Sequence, residues 1–123
     1  MRYYIADCHF FHNSLNYQMD NRGFTDAEEM NAYMIAQWNK KVRWNDEVVI
    51  LGDFSLGKAE ETNRVLEQLN GFLYLIEGNH DQFGRAKGYN AARFKCLFLL
   101  FSHSPFHLCI YHFHKILQSF FFV

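Results

Sequence analysis

The chain has 123 residues and a mass of 14.7 kDa, which fits one domain and allows burial of about two-thirds of the surface its unfolded form exposes. Half the residues are apolar and a fifth are charged, which excludes a disordered chain, and a net charge of −1 gives no support for a nucleic-acid or membrane partner. Three widely spaced cysteines, Cys8, Cys96 and Cys109, read as reduced thiols rather than a disulfide framework. The start reaches Asp7 too early for a signal peptide, and the longest apolar run, Cys96 to Phe101, is far below the roughly 20 residues of a membrane span. The expectation is a cytoplasmic protein.

Residues 2–6 are apolar and aromatic and predict a short strand entering a polar loop at Asp7. Thr25-Asp26-Ala27-Glu28 has capping-box spacing, with Thr25 and Glu28 satisfying the first free amides of a helix. That helix sets Ala27, Met30, Met34 and Trp38 on one stripe and ends near Lys40-Lys41, where cations suit the helix dipole. Val48 to Leu51 is a continuous apolar run stopped by Gly52-Asp53, the pattern of a strand covered on both faces. A second helix over about 59–70 turns Val65, Leu66 and Leu69 inward and stops at Asn70-Gly71. Phe72 to Ile76 is the next strand, residues 82–92 read as loop, and Phe94 to Phe101 is a fourth strand. Strands alternating with helices predict an α/β protein with parallel pairing through right-handed crossovers. Trp38, Trp44, Met30 and Met34 are read as core, and the cysteines as buried thiols.

Each of the four strands is followed at once by candidate ligand groups: Asp7 and His9, then Asp53, then Asn79-His80-Asp81, then His103. In open α/β sheets the loops leaving the carboxyl ends of the strands converge on the ligand site, so these residues gather at one rim. Asp7 and His9 are two apart, and in an extended segment they point the same way, with Cys8 pointing elsewhere. Carboxylate, imidazole and amide oxygen together suit Mn, Fe, Zn or Ni. Gly52 lets the backbone approach the site closely, and the two oxygens of Asp53 suit a bridge between two ions roughly 3.5–4 Å apart. Taken singly, each Asp or His reads as readily as a surface or capping residue, and His80 as a loop histidine; the metal reading rests on the set.

Asp7-x-His9, Gly52-Asp53, Gly78-Asn79-His80-Asp81 and Ser102-His103-Ser104-Pro105 resemble, in content and order, the motifs of the calcineurin-like metallophosphoesterases. Residues 21–30, beginning Asn21-Arg22-Gly23-Phe24, followed by Gln37-Trp38-Asn39, look like the small bacterial and phage branch of that family. The resemblance covers about residues 1–107. It implies an α/β/β/α sandwich, incomplete at the C-terminus, with two divalent metal ions. Asp7 and His9 would bind the first ion, Asp53 would bridge, and Asn79 and His103 would bind the second. His80 would protonate the leaving oxygen, with Asp81 able to orient its ring, while a hydroxide held between the metals attacks phosphorus. The implied partner is a phosphate ester, either a small molecule or a nucleotide or nucleic acid, cleaved as a monoester or diester. Asp81 itself reads as a turn residue, and His12 and His107 as loop or rim residues within reach of a substrate phosphate.

The family's closing Gly-His-x-His loop is absent, and the nearest match is His112-Phe113-His114. After Asp81 no acidic residue occurs, and residues 96–123 hold seven of the fourteen phenylalanines and four of the seven histidines. Two accounts stand side by side. His112 and His114 replace the missing pair in a shortened protein, or the reading frame shifted near residue 108 and residues 108–123 are an atypical apolar tail. The composition and the lost motif favour the second, which leaves a remnant that binds metal or serves as a scaffold. A structural zinc module is disfavoured because the cysteines lack paired spacing.

Overall fold

The structure, a computed structural model, describes residues 1–99 apart from 19 and 85. The expected ligand His103, and also His107, Cys109, His112, His114 and the segment 108–123, lie outside the described residues. The elements run β1 (Arg2–Ala6), α1 (Ala27–Lys41), β2 (Glu47–Leu51), α2 (Ala59–Gln68), β3 (Phe72–Glu77) and β4 (Phe94–Leu99). Short 3-10 turns occur at Asn13–Asn16 and Ala91–Arg93. The four strands form one sheet in the order β1-β2-β3-β4, every pair parallel, with Ile5 opposite Ile50 and Ile50 opposite Leu75. Strands in sequential order with right-handed crossovers place α1 and α2 on the same face.

Helix α1 starts one residue later than the Thr25 cap expected from sequence. The cap is Asp26, whose side chain accepts from the Glu29 amide at 2.8 Å, and Glu29 in turn accepts from the Thr25 amide at 2.7 Å. The arrangement differs from a capping box in that Glu29 takes the amide of the residue before the cap rather than that of the cap itself. Glu28 and Glu29 lie in the first turn and Lys40 and Lys41 in the last, as the dipole favours. Helix α2 ends against Arg93, which donates to the carbonyls of Leu69 at 2.7 Å and Gly71 at 3.1 Å and so occupies acceptors that a helix end leaves open.

The core lies between the helices and one face of the sheet. Val48, Ile50, Leu73 and Leu75 from the strands meet Trp38 and Val42 of α1 and Val65, Leu66 and Leu69 of α2. Phe10, Phe54, Phe83 and Phe94 close the same cluster under the loops, with Phe83 and Phe94 edge to face at 4.9 Å. The other face differs from the expectation of a sheet covered on both sides. Among the described residues Val49, Leu51, Tyr74 and Ile76 are only half-buried and Tyr4 is exposed, because both helices sit on the opposite face. Trp44, read from sequence as core, is 77% exposed in the turn between α1 and β2. Apolar identity alone does not bury a residue that precedes the strand.

Cys8 is buried as expected, and burial pushes its thiol up to about 12, with the negative charge of Asp81 adding to the effect. A thiol held protonated is unreactive. Folded protein treated with iodoacetamide at pH 8 is expected to leave Cys8 unmodified in a peptide map, whereas denatured protein labels there readily. Equal labelling in both states would contradict the burial.

Candidate functional site

Three loops leave the carboxyl ends of β1, β2 and β3 and meet at one rim. The first two are laced by backbone bonds, His9 amide to Asp53 carbonyl at 2.9 Å and Phe10 amide to Phe54 carbonyl at 3.0 Å. The second and third are stapled by Asp81. This carboxylate is fully buried; one oxygen accepts from the amides of Phe54 at 2.8 Å and Ser55 at 3.2 Å, and the other from the amide of Gly78 at 2.9 Å. Burial pushes the Asp81 carboxyl up, while the three amides pull it back. Its described bonds thus tie it to two turns, the role of a turn residue.

Asp7, His9 and Asp53 come together at this rim. His9 Nε2 lies 3.3 Å from Asp7 Oδ1 and 3.8 Å from Asp53 Oδ2, and one donor atom from each residue falls within 4.8 Å of the others. All three are partly buried. The second Asp53 oxygen accepts from the His80 amide at 3.1 Å, so the β3 loop is tied to the same carboxylate. Asn79 and His80 are exposed in that loop, and the His80 ring centroid lies 5.8 Å from that of His9.

The way Asp7 and His9 converge differs from the sequence expectation. The segment is not extended: Asp7 and His9 both have φ of +50°, and Asp53 has φ of +47°. Three of the five non-glycine residues with positive φ among those described are therefore the three that form this cluster. Left-handed backbone costs roughly 1–2 kcal/mol per non-glycine residue and less for aspartate, and it concentrates at functional sites. The donors suit a cation: two carboxylates and one imidazole converge on a common point, a set that fits a borderline divalent metal.

Gly78 permits this geometry. A β-carbon at that position would fall on the carboxylate and backbone nitrogen of Asp53, and Gly52 approaches Gly78 so closely that its own added β-carbon would stand 3.3 Å from the Gly78 α-carbon. Because the obstruction at Gly78 includes backbone, no side-chain rotation relieves it. Gly78→Ala is expected to lose about 1–3 kcal/mol of stability, the usual cost of overpacking, and to displace Asp53. Urea denaturation and a Mn(II) titration read the two effects separately.

Sequence reasoning assigned two residues here too little. His12 joins the cluster, with its Nδ1 3.2 Å from His9 Nδ1 and its ring centroid 6.2 Å from that of His80. Burial and the neighbouring charges of His9 and His80 lower its proton affinity. Arg22 reaches under the first loop and donates to the carbonyls of Asp7 and Cys8, each at 3.2 Å. The signals were the three-residue step from His9 to His12 and the placement of Arg22 in the Asn21-Arg22-Gly23-Phe24 segment.

A family model described as calcineurin-like phosphoesterase matches residues 3–119. An uncharacterized protein of Methanocaldococcus jannaschii is 45% identical over 98 residues, covering 75% of this chain and 54% of the relative. A solved structure of a protein of unknown function from Aquifex aeolicus shares the fold with a TM-score of 0.62 at 24% identity, covering 80% of this chain and 50% of that one. The chain thus spans about half the length of each relative it matches.

Proposed function

The chain belongs to the calcineurin-like phosphoesterase family, and from that premise we propose that it hydrolyses a phosphomonoester or phosphodiester with the help of two divalent metal ions. The observation that carries the reading is the convergence of Asp7, His9 and Asp53 from the ends of two adjacent strands onto one point. Asp7, His9 and Asp53 would hold the first ion, and Asp53, Asn79 and His103 the second; His103 is assigned from the sequence motif alone. When bound, such ions lower the pKa of water and neutralise charge on the phosphoryl oxygens. The residues of the chain do the rest. His80, exposed beside the cluster, delivers a proton to the leaving oxygen, a task suited to an imidazole near neutral pH. Its backbone amide holds Asp53, so placing the acid and placing the ligand depend on one loop. The substrate is a phosphate ester of small-molecule or nucleotide type, and manganese is the first metal to test. No helix among the described residues is long and apolar enough to cross a membrane.

A second reading, metal binding without turnover, draws on the donors brought together among the described residues, which form one group, Asp7, His9 and Asp53. Titration of metal-free protein with Mn(II), paired with a bis-p-nitrophenyl phosphate assay, separates the two. Close to two ions per chain with turnover supports the hydrolase, one ion without turnover supports the second reading, and no ion with no turnover defeats both.

A further inference from the structure

The cluster poses a physical question that its ligands do not answer. Asp7 and His9 each occupy left-handed backbone, yet neither is glycine, so something outside the turn must hold them there. The carbonyls exposed by such a turn also need donors, since buried backbone acceptors without partners are costly. We propose that Arg22 is the positioning residue of this turn: its guanidinium clamps the carbonyls of Asp7 and Cys8 and so keeps Asp7 and His9 aimed at one point. The consequence for metal affinity rests on the metal reading above; the consequence for backbone geometry does not.

Four observations support the clamp. One guanidinium nitrogen donates to the Asp7 carbonyl and the other to the Cys8 carbonyl, both at 3.2 Å, so the planar fork spans consecutive peptide units. A lysine ammonium cannot reproduce that span with a single nitrogen. The Arg22 side chain is only 7% exposed, although it carries a charge, and its Nε lies 3.6 Å from Asp20 Oδ2. Its backbone is itself fixed, because the Arg22 amide donates to the Leu15 carbonyl at 3.0 Å. Finally, the guanidinium lies 3.7 Å from the Met30 sulfur and 3.8 Å from the Met34 sulfur, so α1 forms its back wall. The clamp therefore connects the first helix to the end of the first strand through a residue that lies 15 positions from Asp7 in sequence.

The test uses the full chain with Arg22→Met and Arg22→Lys, and a core variant away from the rim, Val65→Ala, as the control for general destabilisation. One-bond Cα–Hα couplings at Asp7 and His9 distinguish positive from negative φ in the metal-free protein. The parent is expected to show positive φ at both, Arg22→Met to lose it, Arg22→Lys to fall between, and Val65→Ala to match the parent. Mn(II) affinity by calorimetry is expected to fall about 10- to 100-fold in Arg22→Met, the range for residues that orient metal ligands, and to hold in Val65→Ala. Parent-like couplings in Arg22→Met would overturn the clamp, whatever the metal result. Lost couplings in a protein whose parent form binds no Mn(II) would uphold the clamp and defeat the metal reading instead. Should Arg22→Met fail to fold, the couplings of Arg22→Lys decide: unchanged values overturn the proposal.

Discussion

Asp53→Asn is expected to lose metal binding and hydrolysis together, each by roughly a hundredfold or more, while the protein keeps its fold. The magnitude follows from scale: residues that merely orient a ligand are worth about 10- to 100-fold in affinity, and a ligand itself stands above that. The fold survives because asparagine retains an oxygen where Asp53 accepts from the His80 amide at 3.1 Å. What it removes is the negative charge beside Asp7 and His9, and an amide nitrogen then faces the His9 ring where Oδ2 stood at 3.8 Å. His80→Ala gives the complementary pattern. It leaves the Asp7, His9 and Asp53 donors in place, so Mn(II) affinity holds, while turnover falls by about 10²- to 10⁴-fold, the usual contribution of a positioned acid. Calorimetry and the bis-p-nitrophenyl phosphate assay, run on all three proteins, read both patterns. Parent-level hydrolysis in either variant would remove that residue from the mechanism.

Asp81→Ala should be the most destabilising single change at the rim, by about 3–5 kcal/mol in urea denaturation. Three backbone amides lose their acceptor, those of Phe54 and Ser55 in a buried setting and that of Gly78 in a partly buried one. Each buried donor left unpaired costs about 1–3 kcal/mol, offset in part because the buried charge itself is removed. Against a total stability of about 5–15 kcal/mol, such a loss brings the protein close to unfolding at ambient temperature. Asp81→Asn should fall between, since it restores one acceptor but turns its carboxamide NH2, a donor, toward a backbone N–H. A loss under about 1 kcal/mol in Asp81→Ala would mean that the two turns hold together without the carboxylate.

The strands and helices were readable because their apolar runs and stripes stop at strong signals, as where Leu51 meets Gly52-Asp53. The gathering of Asp7, His9 and Asp53 was readable for a related reason: each follows a strand end directly, and parallel neighbours bring such ends together. What sequence could not supply was the conformation of the turn, because a spacing of two says nothing about whether the backbone is extended. Thr25 and Asp26 are both good caps, each with a glutamate three residues on, so the starting register of α1 was ambiguous by one. Trp44 misled through its chemistry, since hydrophobicity does not reveal which side of a turn a residue occupies. Arg22 lies far from Asp7 along the chain, and only folding brings its guanidinium beneath the turn.

The left-handed backbone of Asp7, His9 and Asp53 carries a further consequence for the heritable tolerance of this protein. Glycine would sit more comfortably at each of these positions, so selection for thermal robustness alone would tend to erase the cluster. At about 1–2 kcal/mol for His9 and less for each aspartate, the three together hold back about 2–3 kcal/mol, a sizeable share of the margin that keeps a domain folded. A variant library screened only for heat resistance should accordingly drift toward glycine at these sites and toward sturdier, inert descendants.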